Sequence, residues 1–242
     1  LARPNERPLI GTEERPVPQY PRQATARTQP FPVGDAFVPQ SMAIAPEGFE
    51  LVNQGRIFTP FWTDPIVAKP GQGGGANWPP SSYDPRSGYL YVCASDRTGV
   101  FKGGDSGFEM PMDGERYIGG VFGTVAWGIT GVFSALDMRT NKLVWQQQWP
   151  ERCYSGSVAT AGGLVFVGRG DGRLTALDSR NGARLWQFQT GAGVNAPASV
   201  FEYSGEQYVV AYSGGSLFAN APRGDSVWLF SLQGKMDAVQ TQ

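Results

Sequence analysis

Two stretches decide the fold: VFSALDMRTNKLVW at residues 132–145 and RLTALDSRNGARLW at residues 173–186. Each carries Ala-Leu-Asp, then Asn141 or Gly182 four residues past the Asp, then Trp145 or Trp186 eight past it. The Asp pair and the Trp pair both stand 41 residues apart. The unit reads as a β-hairpin. A strand ends in Ala-Leu, and Asp137 or Asp178 caps the turn through the local backbone. Asn or Gly supplies the positive φ, and a second strand runs out through the Trp. A period of about 40–45 residues with several short strands is the spacing of a propeller blade. The tryptophans offer flat area for packing one blade on the next, which makes docking, not redox relay, the expected role of Trp145 and Trp186. Asp137 and Asp178 are likewise expected to be turn caps, not catalytic carboxylates.

Working outward, Tyr83–Tyr91 (YDPRSGYLY) is a weaker echo, with Gly88 four residues past Asp84. A terminal copy, Ser226–Lys235, keeps the strand and loses the Asp. Counting such units from residue 73 predicts about four blades of an all-β propeller, too few to close a ring. A partner chain or segment is therefore expected to complete it. Residues 1–72 are read as a partial blade plus an extended proline-rich arm, and residues 73–242 as the blades. Eight prolines in the first 40 residues argue against regular ladders there. Tyr117–Leu136 carries no charge over the length of a membrane span. Its five glycines point instead to buried strands and turns. No membrane span is expected. The chain begins at Leu1 with no signal peptide, which suggests a processed chain or a fragment.

Composition narrows the chemistry. With 33 Gly, 19 Pro and 12% aromatic residues, the chain suits sheets and turns. A net charge of −1 shows no footprint for nucleic acid. There is no histidine, which removes the commonest general base and every His metal site. Cys93 and Cys153 are too far apart in sequence for a CxxC or haem-attachment motif. Two separate buried thiols are the favoured reading, with a mutual disulfide as the alternative.

The Ala-Leu-Asp…Gly…Trp repeat resembles the tryptophan-docking motif of pyrroloquinoline quinone (PQQ)-dependent alcohol and glucose dehydrogenases. GGGANWPP at 73–80 is similar to that family's Gly-x-Asn-Trp segment, and TGAGVNAP at 190–197 with EQYVV at 206–210 to its last full blade. TQPFPVGDAFVP at 28–39 resembles the proline-rich connection of the glucose-dehydrogenase branch. RPNERPL at 3–9 looks like a docking-motif turn, although Ala2 and Glu6 stand where Asp and Gly are usual.

The resemblance implies the C-terminal half of an eight-bladed propeller, with PQQ near the axis and a Ca²⁺-type ion. The metal ligands and the base would lie in an N-terminal half, so no catalytic or metal residue is expected in this chain. It would contribute Asn77, Trp78, Arg3, Val194 and Asn195 to the cofactor chamber. Each also has a plainer reading: blade packing for Asn77-Trp78, a solvated terminus for Arg3, a tight turn before Pro197 for Val194 and Asn195. The implied partners are the N-terminal half, an alcohol or sugar substrate, and a cytochrome or quinone electron acceptor, in the periplasm. A non-catalytic propeller scaffold, of the kind used in outer-membrane assembly, is the alternative.

Overall fold

The computed structural model describes residues 9–104, 112–114 and 119–235. Among the described residues there are fourteen strands: β1 (Thr12–Pro16), β2 (Thr28–Pro32), β3 (Ile66–Ala68), β4 (Ser82–Asp84), β5 (Tyr89–Gly103), β6 (Gly120–Asp137), β7 (Lys142–Trp149), β8 (Ser157–Ala159), β9 (Leu164–Gly168), β10 (Arg173–Asp178), β11 (Arg184–Gln189), β12 (Ser199–Tyr203), β13 (Glu206–Ser213) and β14 (Ser226–Ser231). They form three blade-like antiparallel sheets, β4-β5-β6-β7 with β3 added on β5, β8-β9-β10-β11, and β12-β13-β14, plus the hairpin β1-β2. The propeller-blade reading holds, with three sheets from residue 73 where four units were counted. The echo at Tyr83–Tyr91 and the repeat at 132–145 belong to one sheet, because β5 and β6 pair from Tyr89↔Asp137 onward. Two turn signals in one blade look like two blades when read along the chain.

Burial explains why the inner strands read as near-continuous apolar runs. Residues Val132–Leu136 of β6 and Leu174–Leu177 of β10 are buried at every position, each strand being covered on both faces. The outer strand β7 alternates in exposure. One core joins the first two blades through Tyr91, Phe133, Trp149, Val165, Val167 and Leu177. A second joins the last two through Phe166, Leu174, Val194, Val209 and Ala211.

Three expectations are corrected. Cys93 and Cys153 are not separate thiols; they form a disulfide with 5.2 Å between their Cα atoms. Cys93 lies on β5 and Cys153 in the β7–β8 connection, so packing of the first blade on the second brings them together across 60 residues.

The proline-rich arm does form a ladder. In β1-β2, Pro16, Pro30 and Pro32 face Thr28, Glu14 and Thr12. The hydrogen bonds Val17 N→Arg27 O and Val33 N→Gly11 O fall on the alternate pairs. Each proline thus sits where its missing N–H would point away from the partner strand. Beyond this hairpin the chain lies along the first blade. Asp35 meets Lys142 Nζ at 2.9 Å and the Leu143 amide, and Gln146 donates to the Phe37 carbonyl.

The uncharged stretch is one long strand over most of its described part, not several strands with turns, and only its end, residues 131–136, is buried. The β5–β6 register breaks between Asp96↔Thr130 and Thr98↔Val125. Arg97 alone therefore faces the four residues 126–129, with Gly128 at φ +59°. Beyond that bulge the two strands continue outward as a hairpin extension carrying β3. Among the described residues no helix is long and apolar enough to cross a membrane.

Candidate ligand site

Inter-blade packing is set by the repeat. Trp145 donates its Nε1–H to the Ser179 carbonyl at 3.1 Å, and a Cβ on Gly182 would stand 2.7 Å from its ring. The Trp of one blade therefore rests on the glycine turn of the next. Asp137 and Asp178 cap their turns through the amides of Arg139 and Arg180, each at 2.8 Å. Hydrogen bonds from the Arg139 and Arg180 side chains, then from the backbone, hold both carboxyls below the usual range. Both act in structure.

The loops preceding β4 and β8 meet in a cleft lined by Gly73–Gly75, Asn77, Arg97, Arg152, Tyr154 and the disulfide. Its enclosed space is small, about 20 Å³, on the scale of one ordered water. Gly74 has φ +68°, a backbone other residues adopt only with strain. Asn77 Nδ2 donates to the Gly73 carbonyl at 2.6 Å and Oδ1 accepts the Trp78 amide at 2.9 Å. The side chain thus closes its own loop, with one N–H and one lone pair free of partners among the described residues. Trp78 is 71% exposed. Its indole N–H donates to the Tyr154 hydroxyl, with the rings 6.4 Å apart. Tyr154 packs on Phe218 at 6.5 Å and Arg152 donates to the Phe218 carbonyl. The third blade's β13–β14 loop is thereby joined to the same rim.

Val194 and Asn195 sit one loop further on. Val194 is fully buried in the second core, with its amide on the Arg169 carbonyl. Asn195 lies against Gly193, and both polar atoms of its amide are buried without a hydrogen-bond partner. Buried amides are almost always satisfied, and among the described residues nothing satisfies this one. Arg3 lies outside the described residues. The structure thus joins Asn77 and Trp78 to the cleft and places Asn195 in the neighbouring loop. Sequence reasoning missed Arg97, Arg152 and Tyr154, and held the disulfide only as the alternative. The available signal was Asp96-Arg97, a charged pair interrupting an apolar strand. Among the described residues no group of three or more acidic or cysteine side chains is placed to hold a metal.

Comparison with known proteins agrees with the propeller fold. A family model described as outer membrane protein assembly factor BamB matches residues 92–239. Another, described as the β-propeller domain of glucose/ethanol/alcohol dehydrogenase, matches residues 1–112. The quinoprotein alcohol dehydrogenase PedE of Pseudomonas putida is 31% identical over 69% of this chain and 28% of its own length. A quinoprotein ethanol dehydrogenase of Pseudomonas aeruginosa is 34% identical over 66% of this chain and 27% of its own. The crystal structure of quinohemoprotein alcohol dehydrogenase from Comamonas testosteroni superposes with a TM-score of 0.69 at 27% identity, over 86% of this chain and 33% of that one. The chain spans about a third or less of the length of each of these relatives.

Proposed function

Because this chain belongs to the PQQ-dependent quinoprotein dehydrogenase family of β-propellers, we propose that it forms part of an enzyme oxidising an alcohol or sugar hydroxyl. In this reading Asn77, Trp78 and Asn195 line a PQQ pocket, with Val194 behind Asn195 and Arg3 contributing a cation from the chain start. The observation that carries it is the Asn77 cleft, where an amide, glycine backbone and the guanidiniums of Arg97 and Arg152 converge, with Trp78 bonded to the Tyr154 of its lining. PQQ is a flat tricarboxylate with an ortho-quinone, and such a ligand needs amide donors, cations and aromatic walls. The chemistry supplied by a bound PQQ is acceptance of two electrons from a carbinol. This chain's residues hold and orient the ligand and, through Trp78, shield one side from water.

The Ca²⁺-type ion and the general base belong, on this reading, to an N-terminal propeller half, and a cytochrome or quinone takes the electrons. A periplasmic location is supported by the Cys93–Cys153 disulfide, since such bonds persist in oxidising compartments. Titration of the assembled protein with PQQ tests the proposal. Asn77→Ala should weaken binding about 5–10-fold, the loss of one neutral hydrogen bond, with the fold intact by circular dichroism and the melting temperature only slightly lower. The second reading, a non-catalytic propeller scaffold, is favoured by the BamB description of the model over residues 92–239. It predicts no PQQ binding at any concentration tried.

A further inference from the structure

Among the described residues neither arginine of the cleft has a counter-ion, and the fold is built to admit one of them. Arg97 is the single β5 residue at the register break, facing four residues of β6. Bulges of this kind re-aim side chains and recur beside functional sites. A Cβ on Gly73 would fall 1.6 Å from Arg97 Nη2, so the guanidinium occupies space that only glycine leaves open. Its Nε is buried with no hydrogen-bond partner. Arg152 lines the same cleft and makes a single hydrogen bond, from Nη1 to the Phe218 carbonyl.

The nearest carboxylates along the chain are already committed. Asp96 pairs with Lys69 at 2.7 Å and Glu151 with Arg169. Burial first, and the charge of Arg152 second, hold the Arg97 guanidinium below its usual pKa. Two like charges sharing one cleft, one of them partly desolvated, destabilise each other until an anion arrives. A carboxylate presents two oxygens to the guanidinium fork, and charge-assisted bonds of that kind are the strong ones.

We propose that Arg97 and Arg152 form an anion site beneath the Gly73–Gly75 loop that takes the carboxylate of a small organic acid. Which carboxylate it is rests on the PQQ reading above: one from the tricarboxylate cofactor, or one on a substrate that also carries the reacting hydroxyl.

The test measures equilibrium binding to the assembled protein by tryptophan fluorescence, Trp78 standing at the cleft mouth. The probes are PQQ, glycolate, and ethylene glycol as the neutral analogue. Arg97→Gln and Arg152→Gln should each weaken at least one carboxylate probe by about 10–100-fold, the scale of a charged hydrogen bond. Ethylene glycol should be unaffected, and Arg97→Lys should retain part of the affinity. Weakened glycolate binding assigns the site to substrate; weakened PQQ binding alone assigns it to the cofactor. If PQQ binds both variants as tightly as the parent and glycolate does not bind the parent, the anion site is wrong and the cofactor reading stands. If the parent ignores PQQ yet binds glycolate through Arg97, the cofactor reading fails and the anion site stands. Circular dichroism checks each fold, and Arg152→Gln, on a loop, carries the test should Arg97→Gln not fold.

Discussion

The two seams between the three blades are built from the same repeat and finished differently. In the first seam Trp145 rests on Gly182 and hydrogen-bonds the Ser179 carbonyl. Tyr91 Oη donates to that same carbonyl, and the Cys93–Cys153 disulfide ties the blades together. In the second seam the equivalent Trp186 is 38% exposed. It meets only rings, Phe188 at 6.2 Å and Phe230 at 5.2 Å, and among the described residues no partner takes its indole N–H. The third sheet lacks both the Asp of the motif, with Ser231 in its place, and an outer strand among the described residues. The docking tryptophan therefore works only as half of a device. The other half is the next blade's Asp-capped glycine turn, and without it the ring stays partly in water.

The sharpest way to break this comparison is to truncate both tryptophans. Trp145→Ala should destabilise by about 3–5 kcal/mol, as expected for a packed aromatic. Trp186→Ala should lose less than half of that in this chain, since much of its ring is already hydrated. Equal losses in denaturant melts would show the second seam to be as well closed as the first.

Opening the disulfide is the next largest test and touches only the first seam. A bond closing a loop of 60 residues should contribute about 2–4 kcal/mol. A Cys93→Ser/Cys153→Ser double variant should melt lower by that amount and become insensitive to reductant. An unchanged melting curve would mean that Trp145 and its neighbours hold the seam alone.

The smallest effect is expected from acid. Asp137 and Asp178 have folded pKa values below the ordinary carboxylate value, through hydrogen bonds from Arg139 and Arg180. Their stabilisation is complete above the unfolded pKa, about 3.9, and is lost as pH falls through the lower folded values. The melting temperature should therefore drop between about pH 4 and pH 2. The slope should be shallower in Asp137→Asn/Asp178→Asn, in which neither group titrates. An identical slope would place the acid-sensitive groups elsewhere.

The sequence by itself determined what is local and periodic. The hairpin with its Asp cap, the glycine or asparagine at positive φ and the Trp eight residues on is written within fourteen residues, because turn chemistry acts between near neighbours. Asn77-Trp78 was equally visible, as a glycine-flanked pair. The prolines of the arm pointed away from a ladder, and only the structure showed that their every-second-residue spacing permits one. Tertiary structure alone decided what depends on one blade meeting another. It joined Cys93 to Cys153, merged two turn signals into one sheet, buried Val194, orphaned the amide of Asn195, and set Arg97 beside Arg152. Each of these depends on strands or loops far apart in sequence coming together. The energy of such contacts comes from buried area and excluded water, and neither has a period along the chain.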